Sequence, residues 1–191
     1  MKLKICGLKT LHDIECINEA DIDYAGFVFT PHRQQISVAT ARVLKAALKP
    51  GIKAVGVFVG ESYGFIKNIV DEGLIDLVQF HGGREYPMPC PTIKSFRMRS
   101  EADIMPTDCD FVLFDSYKED TKGSTGGMFN WRLIIGYQAK PFFLAGGIDI
   151  TNIRQAMALG PYGIDISSGV EEQGGKSMQK VKEIAYECKI W

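Results

Sequence analysis

Eight short runs rich in β-branched and aromatic residues punctuate the whole chain, and each is followed by polar or helix-patterned sequence. They fall at about residues 2 to 5 (KLKI), 24 to 29 (YAGFVF), 53 to 58 (KAVGVF), 76 to 80 (DLVQF), 92 to 96 (TIKSF), 110 to 114 (DFVLF), 141 to 144 (PFFL) and 163 to 166 (GIDI). Several are almost continuously apolar. That suits parallel strands buried on both faces better than the alternation of an antiparallel sheet with one wet face. Strand then helix, eight times over, predicts an α/β fold, a single (β/α)8 TIM barrel spanning residues 1–191. A doubly wound open sheet alternates in a similar way, but the count of eight favours the barrel. No Ser/Pro/Gly linker or low-complexity tract divides the chain.

Capping chemistry locates the helices. Thr10 and Asp13 have capping-box spacing ahead of Ile14, Ile17 and Ala20, and Ser37 precedes a helix expected over 38–48. Ser62 precedes one expected over 63–72, which Gly73 ends, and Met178, Val181, Ala185 and Cys188 form a last stripe. Spread over eight units, 191 residues leave about 24 each, against roughly 250 for a typical barrel. The economy falls in two places. Pro87, Pro89 and Pro91 rule out a regular helix in unit four, so a degenerate helix is expected there, and unit five has room only for a short helix around 100–104. The spare residues lie in 117–128, YKEDTKGSTGGM, which follows a strand's C-terminal end and is a candidate lid.

With 22 Lys plus Arg against 23 Asp plus Glu, the net charge of -1 gives no general drive towards nucleic acid or anionic membrane. Any anion must therefore be bound locally. The partner expected is a small phosphorylated molecule, with no nucleic acid and no membrane. Five scattered cysteines with no CxxC pair and no clustered histidines argue against a disulfide framework or a zinc site. No run approaches the length of a membrane span and MKLKICGLKT lacks the apolar stretch of a signal peptide, so the expected compartment is the cytoplasm. Nothing in the pattern fixes the oligomeric state; a monomer is the default.

In such a barrel the site is built from strand ends and the loops after them. Gly146 and Gly147 follow the seventh strand, and Ser167, Ser168 and Gly169 follow the eighth. Glycine lets backbone N–H groups approach an anion, serine adds hydroxyl donors, and these two loops are where many barrels hold a phosphate. Cys6, with Gly7 after it, ends the first strand; it is either a packing residue or a base whose thiolate is stabilised by nearby positive charge. Asp115 ends an otherwise apolar strand, where a carboxylate must be solvated, paired or functional. His81, after the fourth strand, is a binding candidate, and Arg33 and Gln34, after the second, could reach a phosphate or carboxylate.

Taken in order, KICGL (4–8), GFVF (26–29), VGVF (55–58), VQFHG (78–82), LFD (113–115), GGMFNW (126–131), LAGGI (144–148) with Asn152, and DISSGVE (165–171) resemble the phosphoribosylanthranilate isomerases of tryptophan biosynthesis across essentially the whole chain. The resemblance implies an Amadori rearrangement with Asp115 as general acid and Cys6 as general base, without metal or organic cofactor. Three positions depart from the family pattern. Gln34 stands where an arginine is usual, so either Arg33 takes that role through a shifted loop or the contact is weakened; if Arg33 takes it, losing Arg33 should cost far more activity than losing Gln34. Ser177 replaces the Asp of the usual Gly-x-Lys-Asp, and Asn130 replaces an Asp, and both retain capping chemistry. A related aminoaldose isomerase of histidine biosynthesis is the enzymatic alternative, disfavoured because such barrels carry an aspartate where Cys6 stands. A degenerate barrel that binds a phosphorylated ligand without turnover is the other alternative.

Overall fold

The computed structural model describes residues 1–116 and 130–191, so the candidate lid at 117–128 lies outside the described residues. Eight parallel strands, β1 (Lys2–Cys6), β2 (Tyr24–Val28), β3 (Lys53–Phe58), β4 (Leu77–Phe80), β5 (Thr92–Met98), β6 (Phe111–Ser116), β7 (Phe142–Leu144) and β8 (Gly163–Ile166), pair in chain order and close between β8 and β1. Both strand faces are covered, which explains the apolar runs. Residues facing outward, such as Leu3, Ile5, Val78, Phe80, Val112, Phe114, Ile164 and Ile166, belong to the large core shared with the helices. Their alternate neighbours face the barrel axis, where Tyr24, Val55, Leu77, Ile93, Leu113, Phe143 and Ala145 pack as a second cluster. That period of two separates the outward residues covered by helices from those that face the barrel axis.

Helices α1 (Leu11–Asn18), α2 (Val38–Ala47) and α3 (Tyr63–Asp71) begin at Thr10, Ser37 and Ser62, whose side chains accept from the backbone N–H groups of Asp13, Thr40 and Phe65. At α1 the capping box closes, because Asp13 Oδ2 accepts from the Thr10 N–H at 2.9 Å, and Oδ1 accepts from the Lys176 N–H at 2.9 Å. Asp13 thereby ties the first helix to the last unit. No helix spans 81–91. There Glu85 pairs with Lys94 at 2.9 Å and accepts from the Thr107 hydroxyl, fastening the loop to the next two units. Unit five has one 3-10 turn, Glu101–Asp103, and a further 3-10 turn, Trp131–Ile134, is capped by the Asn130 side chain. A five-residue α4 (Ile153–Met157), a hairpin of β9 (Glu171–Glu172) and β10 (Gly175–Lys176), and α5 (Met178–Ile190) finish the chain. Ser177 does not cap α5 with its side chain; its hydroxyl instead bonds Glu172 Oε2 at 3.1 Å, within reach because the hairpin folds back on itself. Among the described residues no helix is long and apolar enough to cross a membrane.

Candidate active site

At the C-terminal ends of the strands lies a cavity of about 500 Å³, the size of a small-molecule site. Cys6, His81, Asp115 and Ser167 enter it because each continues the inward phase of its strand, two residues beyond Lys4, Gln79, Leu113 and Asp165. The loops after β7 and β8 supply Gly146, Gly147 and Ser168 on one side, and Arg33 and Gln34 arrive from the loop after β2. Gly169 does not line the cavity. A Cβ there would sit 2.0 Å from the Ile148 carbonyl oxygen, so this glycine lets the two loops close on each other. Asn152 braces the β7 loop by donating to the Gly147 carbonyl at 2.9 Å.

Cys6 and Asp115 stand on strands separated around the barrel by β7 and β8, so the glycine and serine loops lie between them. Burial pushes the Cys6 thiol up, while the Lys4 and Lys176 ammoniums pull it down. Asp115 is partly exposed and accepts from the Ser116 N–H at 2.7 Å. His81 Nε2 lies 3.8 Å from Asp115 Oδ2, and Arg97 Nε donates to the same nitrogen at 3.4 Å. A guanidinium only donates, so Nε2 carries no proton and the ring is neutral. Burial and the Arg97 charge hold its pKa down to about 4. The contact with Asp115 is therefore not an ion pair at neutral pH.

Gln34, not Arg33, is the buried member of its pair. Its amide donates to Ser167 Oγ at 2.9 Å and to Glu171 Oε1. The Arg33 guanidinium touches Glu171 Oε2 at 2.9 Å but is 55% exposed, so the loop turns Gln34 inward and Arg33 along the rim. Glu171 also receives Lys176 Nζ at 3.1 Å, and its carboxyl is held below the usual range by these cations despite its burial.

Beneath the mouth, Lys4 is fully buried and pairs with Asp165 at 2.8 Å, its register partner on β8. Asp165 and Cys6 hold the lysine above its ordinary value in spite of burial, so it carries its charge. Asp165 Oδ1, Gln79 Oε1 and Ser116 Oγ are buried cavity-lining atoms without a hydrogen-bond partner among the described residues. Buried oxygens of this kind need hydrogen-bond donors from water or a bound ligand.

The sequence profile of the family described as "PRAI: N-(5'phosphoribosyl)anthranilate (PRA) isomerase" matches residues 3–186. The chain belongs to this family. A PRA isomerase of Endomicrobium trichonymphae is 39% identical, with 95% of each chain aligned. In three dimensions the chain is similar to phosphoribosyl anthranilate isomerase from Thermotoga maritima, with TM-score 0.85, 30% identity and all of both chains covered. It is also similar, at TM-score 0.82 and 28% identity over all of both chains, to a phosphoribosyl anthranilate isomerase described as in complex with reduced 1-(o-carboxyphenylamino)-1-deoxyribulose 5-phosphate.

Within this PRA isomerase barrel, Cys6, Arg33, His81, Asp115, Gly146, Gly147, Ser167 and Ser168 converge on one cavity. Lys4, Gly26, Arg97, Asp165 and Lys176 went unread in the sequence. Arg97 lies one residue past the expected end of its strand, and β5 in fact runs to Met98. A period-two count puts Lys4 in phase with Cys6 and Asp165 in phase with Ser167, but their pairing and burial come only from the closure of β8 onto β1.

Proposed function

We propose that the protein converts N-(5-phosphoribosyl)anthranilate to 1-(2-carboxyphenylamino)-1-deoxyribulose 5-phosphate, the third step of tryptophan biosynthesis from chorismate. The observation that carries the reading is the convergence of Cys6 and Asp115 on one cavity, with the β7 and β8 loops between them. Asp115, as the acid, protonates the furanose ring oxygen and the ring opens to an imine. Cys6, as thiolate, then takes the proton from C2, and the electron pair moves into the imine, giving an enolamine that tautomerises to the ketone. The nitrogen of the substrate is the electron sink, so no cofactor is required.

Gly146, Gly147, Ser167 and Ser168 hold the phosphate. With the phosphate fixed between β7 and β8, the ribose lies between acid and base and its hydroxyls meet the acceptors of Asp165 and Gln79. The aryl ring then extends towards β2–β5, past Val28 and Val57, where Arg97 offers a cation to its carboxylate. His81, neutral at the working pH, adds no charge of its own beside Asp115.

The test follows the fluorescence of phosphoribosylanthranilate. Turnover by the wild type is expected, with near-complete loss of kcat in Asp115→Asn and Cys6→Ser and mainly a raised KM in Ser168→Ala. Full activity in Cys6→Ser would refute the base assignment, and binding of a product analogue without turnover by the wild type would leave a ligand-binding barrel.

A further inference from the structure

A thiol makes a poor base unless something holds its proton off, and burial works against that at Cys6. The groups that face its sulfur come from several elements. Lys4 lies two residues earlier on the same face of β1, Asp165 stands beside it on β8, Lys176 reaches in from β10, and Asp115 and His81 stand across the mouth. Of the two lysines, Lys176 is already committed, with its ammonium on the Ser167 carbonyl at 3.0 Å and on Glu171 at 3.1 Å. Lys4 differs. It is 0% exposed, among the described residues its carboxylate partner is Asp165, and it sits directly below Cys6, two residues earlier on the same inward face of β1. Its ammonium is closed off from solvent.

We propose that Lys4 is the positioning residue for the base: its buried ammonium, clamped by Asp165, stabilises the Cys6 thiolate from beneath against the cost of burial, and Asp165 sets how far that stabilisation extends. The pair is a built-in charge switch of opposed parts. The ammonium favours the thiolate, and the carboxylate both keeps the ammonium charged and repels the thiolate. An ion pair buried in a barrel costs desolvation and is weak evidence for stability, so a functional reason for its place under the base is apt. The proposal rests on Cys6 acting as the base, yet the ionisation of Cys6 is measurable without turnover.

The experiment titrates the thiolate of Cys6 by its ultraviolet absorbance in the full chain, taking Cys6→Ser as the background that removes the other four cysteines' contribution. Parallel pH profiles of kcat/KM are recorded. Lys4→Met is expected to raise the apparent pKa of Cys6 by about 1–3 units, the size of an opposite charge lost at short range, and to move the acid limb of the rate profile with it. Asp165→Asn is expected to lower the pKa, and Lys4→Arg to restore most of the wild-type profile. A structural role alone would not move the two variants in opposite directions.

Removing Lys4 strands Asp165 in the interior, so the neutral double variant Lys4→Met/Asp165→Asn stands in if Lys4→Met does not fold; its Cys6 is expected to titrate above that of Asp165→Asn. An unchanged pKa in the lysine variants, or shifts of the same sign in Lys4→Met and Asp165→Asn, overturns the proposal. Full activity in Cys6→Ser would instead defeat the base assignment, and the titration would still report whether Lys4 governs the thiol.

Discussion

Gly26, in the middle of β2, offers a test of how tightly the base is placed. Its φ is not in the left-handed region, so alanine fits the backbone and only the added methyl matters. A Cβ there would lie 2.7 Å from Cys6 Sγ and 2.8 Å from Cys6 Cα. Non-bonded carbon contacts settle near 3.5–4.0 Å, so about 1 Å of separation must be found. It cannot come from a rotamer change alone, because one of the clashing atoms is backbone. The β1–β2 ladder resists as well, since the Gly7 and Leu8 N–H groups both bond the Gly26 carbonyl, at 3.0 and 3.1 Å. Overpacking of this kind costs about 1–3 kcal/mol of stability. Displacing a reacting group by about 1 Å costs on the order of a hundredfold in rate, or about 2.7 kcal/mol of barrier.

Gly56→Ala supplies the control. A Cβ at Gly56 would meet Ile75 Cδ1 at 2.6 Å and the Phe58 ring edge at 2.8 Å, all side-chain atoms, on the outward face of β3. Both variants are expected to lose stability in urea titrations, but only Gly26→Ala is expected to lose kcat about a hundredfold with KM little changed. If Gly26→Ala kept kcat within about threefold of wild type while losing stability as Gly56→Ala does, the idea that this contact places the thiol would fail.

Two further outcomes follow from the loops. Gln34→Ala breaks a buried bond to Ser167 and should lower kcat/KM about tenfold, whereas Arg33→Ala removes an exposed ion pair worth about 0–1 kcal/mol, so steady-state kinetics should rank Gln34 above Arg33. The order inverts what a shifted-loop arginine would give. His81 titrates near 4 in the folded chain and near 6.5 when unfolded, so the unfolded chain binds the extra proton between those values. Its contribution is whole above about pH 6.5 and is lost as pH falls towards 4, which makes the wild type about 2 kcal/mol less stable at pH 5 than at pH 7 on this account. Urea midpoints at the two pH values should converge in His81→Gln, and an NMR titration placing the His81 ring near 6.5 would refute the assignment.

The barrel was legible because parallel strands covered on both faces write nearly unbroken apolar runs, and because Thr10, Ser37 and Ser62 mark helix starts by side-chain chemistry local to the sequence. The proline-rich stretch foretold the absence of a regular helix in unit four for the same local reason. Lys4 was not legible in that way. A lysine between leucine and isoleucine reads as a solvated strand residue, and only closure of β8 onto β1 brings Asp165 opposite and makes its burial tolerable. Gly26 was hidden likewise, since its neighbour Cys6 is fixed by the pairing of two strands and not by anything near residue 26. What the sequence could not carry is long-range register.

Register also bears on how a chain of net charge -1 could serve the proposed substrate, which carries a phosphate and a carboxylate. Among the described residues four cations border or underlie the mouth, and three are ion-paired before any ligand arrives: Lys4 with Asp165, and Lys176 and Arg33 sharing the one carboxylate of Glu171, which leaves a local surplus of one positive charge. The pairs leave no large field to attract other polyanions. They do leave oriented groups, a buried carboxylate oxygen of Asp165 without a partner among the described residues, a glutamine fixed on Ser167 beside the β7 and β8 loops, and an ammonium under the thiol. Arg97 is the cation of the four that meets a neutral partner, His81, and it stands on β5, across the cavity from the β7 and β8 loops. Charge at this site is thus divided by distance from the reacting carbon. Beneath it, buried pairs set protonation and geometry without competing for substrate, and at the rim an arginine bound to a neutral imidazole keeps its charge for the ligand.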